Sequence, residues 1–519
     1  MELKLIMKTA RSISIEIADG GTYFTTKNYE VLLNGAVVKN TNKVITSIFG
    51  LKPETEYEVA VREEGKEEIE ATMTTVTEYE FVTLDVKEFG AKGDGVQNDT
   101  PFIQAAIMSC PKMGRVLVPA GNYKITSLFL KSDIRLEIEK DAVLIADDNR
   151  YNYPILPGMI ESYDETDEYN LGTWEGNPLK MFAGIITGLH VENVILYGEG
   201  MVNGNSSFET WWKNPKVMNV AFRPRTLFLS GCNNITIQGL TFKNSPSWTL
   251  HPYFSDNLHF CDLFVNNPAH SPNTDGLDPE SCTHVKIQGV RFSLGDDCIA
   301  VKSGKMYMGR KHKKPSSDIY VRQCLMEDGH GAVTIGSEMA GGVKELVVED
   351  CIFRHTDRGL RIKTRRGRGK DAIVDDVIFK NINMDHVMTP FVVNTFYFCD
   401  PDGKSDYVQS REFHPVDERT PEIKRLVFEN IKCDNCHVAA AHFDGLPEQP
   451  IEEIQMKNVS VNYAKEPKED VPAMSLGVER CTKKGIYANN VKTLVLENVV
   501  VEGQNGEVLQ CTKVENIIK

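Results

Sequence analysis

Four short polar segments carry residues that could do chemistry: Asn273-Thr274-Asp275-Gly276, Gly295-Asp296-Asp297-Cys298, Gly329-His330-Gly331 and Arg361-Ile362-Lys363. Each adjoins an apolar strand: GLD, CIAVK, AVTIG and GLRIK. The first core positions of those strands are Leu277, Ile299, Val333 and Leu360, separated by 22, 34 and 27 residues. Such steps suit one coil each of a solenoid, so the segments stack on one face, about 4.8 Å apart from coil to coil. In that register Asp275 and Asp297 both lie two residues before the core position. Asp296 and His330 both lie three before it. Asp275 and Asp297 are therefore expected as close neighbours, with Asp296 to one side beside His330. Arg361 and Lys363 alternate with buried Leu360 and Ile362 and should face outward.

Three carboxylates in one small patch repel each other. At least one should have a raised pKa and keep a proton near neutrality. A proton donor beside ionised bases is what glycoside hydrolysis requires. A lone Asp-Asp pair is usually a turn, but a turn does not explain four polar clusters on one ladder. Carboxylate clusters also bind Ca²⁺; the neighbouring His330, Arg361 and Lys363 argue against a cation here. No nucleophile triad and no zinc spacing is present. From Lys302 to Lys314 there are six Lys/Arg and no acid, and from Arg361 to Lys370 six more and no acid. Each run alone reads as a solvated loop. Two runs bordering the aspartates point to a groove for an anionic chain.

What must position these residues is legible as a repeat, h-x-h-x-x-h-x-h with h apolar. Nine copies start at Ile235, Leu258, Val285, Ile319, Leu346, Val377, Leu426, Ile454 and Leu494. The period of two predicts strands, and the extra residue predicts a bend between two strands. The fifth position holds Gly239, Asp262, Gly289, Gln323, Asp350, Asn381, Asn430, Asn458 and Asn498. All but the glutamine tolerate a left-handed backbone at low cost. Positions one, three, six and eight should be buried, including Cys324 and Cys351 at position six. An all-parallel stack without helical crossovers means an all-β fold, a parallel β-helix. Ahead of the coils, Asn98-Asp99-Thr100-Pro101 predicts a capped helix start over the open end of the core. Gly93-Asp94-Gly95 reads as a turn.

Residues 1–77 read as a separate small β-sandwich, and 78–519 as the β-helix. ISIEI, YEVLL, EYEVAV and EIEATM are strand-like, with turn signals between them. The stretch from Leu51 to Val61 resembles the part of a fibronectin type III domain where a tyrosine corner opens a central strand. TTVTE at 74–78 reads as the link, and the module as a spacer or packing unit. The net charge of −15 disfavours nucleic acid. No apolar run reaches the length of a membrane span. None of the twelve cysteines falls in the first 109 residues, and only Cys433 and Cys436 form a C-x-x-C pair. Buried free thiols and a reducing compartment are the expectation. With no secretory signal visible at the N-terminus, a cytoplasmic location is expected.

At N-T-D, G-D-D, G-H-G and R-I-K, in this order and at coil-like spacing, the chain resembles glycoside hydrolase family 28, the polygalacturonases, over about residues 84–519. The resemblance implies a right-handed, pectin-lyase-like β-helix, an inverting mechanism and neither metal nor cofactor. It implies that Asp296 is the general acid, that Asp275 and Asp297 activate the water, and that His330 tunes the acid. Arg361 and Lys363, with Asn273 and Lys302, would bind an acidic oligo- or polysaccharide, the galacturonan of pectin. The R-I-K match favours homogalacturonan over rhamnogalacturonan. The fibronectin-like module resembles that of bacterial exo-acting members. Two long insertions, 147–182 and 395–422, are expected to wall the groove, with Glu161, Asp164, Glu165, Asp167 and Glu168 repelling a passing polyanion. The alternatives are an endo-polygalacturonase, a rhamnogalacturonan hydrolase, a non-catalytic pectin-binding β-helix and a Ca²⁺-dependent pectate lyase.

Overall fold

The computed structural model describes residues 1–161 and 168–519. Asp164, Glu165 and Asp167, of the acidic stretch expected to repel a polyanion, lie outside the described residues. The chain from Thr83 onward forms a right-handed parallel β-helix, with 29 strands in one sheet and a further four-stranded sheet beside it. The nine repeat starts pair in eight successive steps, from Ile235 opposite Leu258 through to Ile454 opposite Leu494. Three earlier coils carry the ladder back to Gly114, Ile134 and Val194; their repeats are too irregular to read from the sequence.

Every bend residue at the fifth position has positive φ, from 51° at Asn458 to 79° at Gly239, and Gln323 joins them at 54°. The bends are also tied together. Asn381 donates to Asp350, Asn430 to Asn381, Asn458 to Asn430 and Asn498 to Asn458, at 2.9–3.1 Å. Positions one, three, six and eight are buried in the eight coils from Ile235 to Ile454, Cys324 and Cys351 among them; the last coil, from Leu494, is looser. All twelve cysteines are free thiols and nine are buried.

The helix Thr100–Ser109 buries Ile103, Ala106 and Ile107 in the same core, closing its end. Its start differs in detail from the expectation. Asp99 does not cap the helix; its carboxylate accepts the Lys92 and Gly93 N–H groups, while Asn98 Oδ1 accepts that of Thr100. Gly93-Asp94-Gly95, read as a turn, instead leads into the short strand Asp94–Asn98, where Asp94 accepts the Val96 and Gln97 N–H groups.

The N-terminal strands form a three-stranded and a four-stranded sheet. Residues 74–76, read from sequence as linker, belong to the strand Ala71–Val76. The Tyr57 hydroxyl accepts the Lys52 N–H at 3.0 Å, bracing the turn before its own strand. This module docks on the bend ladder. A Cβ at Gly239 would meet Phe49, and one at Gly289 would meet Ile45. Glu16 pairs with Arg322, and Ser12 and Ser14 bond Gln238. Those two glycines thus answer to close packing as well as to the bend.

Candidate active site

The strands Asp297–Val301, Gly331–Gly336 and Arg358–Lys363 lie side by side, with Leu277 bridged to Ile299, Ile299 opposite Val333 and Val333 opposite Leu360. Asp275 therefore stands beside Asp297, and the Gly276 N–H donates to the Asp297 carbonyl. Asp296 stands beside His330, whose N–H donates to the Asp296 carbonyl at 3.0 Å. One carboxylate oxygen from each of Asp275, Asp296 and Asp297 lies within 4.8 Å of the others. Asp297 and Asp275 are buried, and Asp296 is partly exposed. The three line or underlie a cavity of about 410 Å³.

The carboxylates differ in charge for identifiable reasons. Burial raises Asp275 to about 8, and the neighbouring charge of Asp296 adds to the rise. Burial alone would raise Asp297 as well. Lys363 Nζ at 2.7 Å and Arg361 Nη1 at 3.1 Å overcome it and hold that carboxyl well below its ordinary value. Sequence reasoning required one raised carboxyl in the trio, and the buried Asp275 is one. His330 Nδ1 meets Asp357 Oδ2 at 2.7 Å, and this hydrogen bond raises the imidazole. The patch can keep a proton on Asp275 beside a base that Lys363 and Arg361 favour as ionised, which is the equipment of acid–base hydrolysis.

The other residues expected in the site are there. Asn273 lines the cavity with its side-chain oxygen fixed by Arg223 at 2.9 Å. Lys302 is buried against Glu338 at 3.2 Å and Asp275 at 3.7 Å, with its ammonium 4.3 Å from the Trp248 ring centre. Trp248 and Arg358 also line the cavity, and sequence reasoning missed them. Extending the two-before-core rule one coil back from Asp275 lands on Trp248, and one coil on from Gly331 lands on Arg358. Glu338, in the loop after AVTIG, gave no pattern to find.

Of the basic run 361–370, expected to border a groove for an anionic chain, the residues beyond Lys363 are paired with acids. Arg365 and Arg368 bind Asp400, Arg366 is buried on Glu448, and Lys370 pairs with Glu418. This run anchors the 395–422 insertion instead, because a buried guanidinium needs carboxylates around it. Three insertions wall the cavity. Glu175 comes from 147–182, and Tyr397 and Asp400 from 395–422. Asp470, Val471 and Met474 come from a third, unforeseen segment, held by Arg358 on the Val471 and Pro472 carbonyls. The signal for it was the 40-residue step between the repeats at Ile454 and Leu494.

Residues 111–477 match the family model described as Glycosyl hydrolases family 28. A probable polygalacturonase of Vitis vinifera is 29% identical over 75% of this chain and 78% of its own length. An exo-poly-alpha-D-galacturonosidase of Dickeya chrysanthemi is 25% identical over 70% of this chain and 65% of its own length. The family 28 exopolygalacturonase structure of Yersinia enterocolitica superposes with a TM-score of 0.71 at 18% identity, covering 99% of this chain and 98% of that one.

Proposed function

Because the chain belongs to glycosyl hydrolase family 28 and is a glycosidase of galacturonan, we propose that it cleaves α-1,4-galacturonosyl bonds from one chain end. Asp296 donates the proton to the leaving oxygen, and Asp275 with Asp297 activates the water. Asp296 is the member of the trio that solvent reaches, as a group handing a proton to a departing sugar must be. Asp297 is ionised by its cations, so it can accept a proton. In the free protein burial favours a proton on Asp275; turnover requires the proton on the leaving-group side, at Asp296, with Asp275 ionised. His330 positions Asp296 through the backbone contact and the Asp357 bond. Arg361, Lys363, Asn273 and Lys302 hold the sugar and its carboxylate. The substrate is a pectic oligosaccharide or polymer with free carboxylates.

The observation that carries the exo reading is that residues from three insertions line the cavity holding the carboxylates. The exo-acting relative from Dickeya chrysanthemi is consistent with it. The test is the time course on polygalacturonate. Small products from the first minutes with slowly falling viscosity are expected; a steep early fall with mid-length oligomers means endo attack.

Inversion is the reading that the family resemblance carries. One oxygen from each of the three carboxylates lies within 4.8 Å of the others. The anomer formed first, read by proton NMR, decides between a water held by two carboxylates and direct attack by one of them.

A further inference from the structure

The face that carries the three aspartates does not end at their cavity. Its outward positions continue toward the C-terminus, as Arg361, Val392, His442 and Tyr487 in one column and Lys363, Asn394, Asp444 and Asn489 in another. Two to three coils past Lys363, or about 10–14 Å at the spacing of β-strands, lies a second cavity of about 820 Å³. That falls within the range of about 300–1,000 Å³ that small-ligand sites occupy. The chain at 470–476 crosses the face between the two cavities. Val471 and Met474 line the first, and Leu476 and Glu479 the second. Asn394 donates to the Met474 carbonyl, and Gln409 accepts the Leu476 N–H, so the crossing is fastened on both sides. The 395–422 insertion is shared in the same way, with Tyr397 and Asp400 in the first cavity and Gln409 and Arg411 in the second.

The second cavity is made of polar groups already held in place. Asp444 is 2% exposed, pairs with Arg411 and accepts from the Asn489 amide at 2.9 Å. The Arg411 guanidinium carbon sits 3.6 Å from the Phe396 ring centre. His442 stacks on Tyr487 with ring centres 4.8 Å apart. Burial lowers His442 to about 4, so the imidazole is neutral at neutral pH. Its Nε2 has no hydrogen-bond partner among the described residues, an arrangement that proteins seldom leave without a use.

We propose that this cavity is a second saccharide site, separate from the hydrolytic one, and that it takes a neutral, hydroxyl-bearing sugar unit rather than a uronate. Arg411 is neutralised by Asp444, and Glu479 offsets the exposed Lys513, so no net positive charge draws a carboxylate. A neutral imidazole, an amide and a phenol supply both donors and acceptors, which is what sugar hydroxyls require. The site does not depend on the roles proposed for the aspartates. It would hold a neutral stretch of a pectic chain while an acidic stretch occupies the first cavity.

The experiment titrates the full chain with three neutral probes, β-1,4-galactotriose, α-1,5-arabinotriose and β-1,4-xylotriose, and with trigalacturonate, by saturation-transfer NMR. Tyr487→Phe, which keeps the ring stack, and Asn489→Ala are the variants. At least one neutral probe is expected to bind the unmodified protein and to survive excess trigalacturonate. Its affinity should fall about five-fold in Asn489→Ala, the value of one hydrogen bond, while both variants hydrolyse trigalacturonate at the original rate. Failure of all three probes overturns the proposal. So does displacement by trigalacturonate, or affinity unchanged in both variants. A fall in trigalacturonate affinity in Asn489→Ala overturns the neutral class of ligand. Loss of trigalacturonate hydrolysis by the unmodified protein would count against the proposed function and leave these binding results standing.

Discussion

Lys363 Nζ lies 2.7 Å from Asp297 Oδ2, two coils away on the same face. In the free protein the ammonium therefore serves a second purpose beyond waiting for a sugar carboxylate. Together with Arg361 it keeps a fully buried carboxyl charged.

Lys363→Ala should consequently do two things. KM for polygalacturonate should rise, because the proposed grip on the sugar carboxylate is gone. The acidic limb of the kcat profile should also move to higher pH, since Asp297, held low by its cations, would lose its charge sooner as pH falls. A pH–rate profile of the variant reads both. For the same reason, fully methyl-esterified pectin should be a poor substrate; equal rates on esterified and de-esterified polymer would contradict the assignment.

Asp296→Asn should lower kcat by about 10²–10⁴, the usual share of a general acid, while oligogalacturonate still binds. Isothermal titration beside single-turnover kinetics separates the two. Near-normal kcat would remove Asp296 from its role.

Asp275 links activity to stability. Its folded value is about 8 against an ordinary 3.8, raised by burial. Across that window the folded chain holds a proton that the unfolded chain has released, so stability falls as pH climbs from about 4 to about 8. Asp275→Asn should flatten that fall. Its melting temperature should exceed that of the unmodified protein at pH 8 by more than at pH 5, with activity lost at both. Parallel melting curves across this range would show that Asp275 is not the proton holder.

Excess chelator should leave activity intact. The three aspartates have a geometry that could hold a cation, but Lys302, Arg361 and Lys363 already occupy their charge. Loss of turnover with chelator, restored by Ca²⁺, together with products absorbing in the near ultraviolet, would indicate a lyase instead.

Much of this was open to reading in the chain. The repeat gave the register of its nine copies from Ile235 to Leu494, because a bend that needs positive φ leaves a recognisable residue type at one position per coil. Even Gln323, the exception by type, adopts the same backbone. The relative places of Asp275, Asp296, Asp297 and His330 followed from counting residues back from the core. Where the chain leaves the coil, counting fails. Nothing local distinguishes Arg366, buried on Glu448, from a solvated arginine, since its partner is 82 residues away. The crossing segment 470–476, Asp-Val-Pro-Ala-Met-Ser-Leu, has no repeat pattern, and what fixes it is Arg358 and Asn394 holding its carbonyls.

The side-chain ladder along the bends bears on how such a molecule can change. Asn430 still bonds Asn381 although 49 positions of sequence separate them, and Asn498 still bonds Asn458 across 40. Adjacent coils keep their alignment whatever length of chain is spliced between them. Lineages could therefore lengthen, trim or exchange the excursions at 395–422 and 464–483 without disturbing the aspartates. The machinery for cutting and the rules for what may enter can then diverge at different rates, one held by the stack and the other left to the loops.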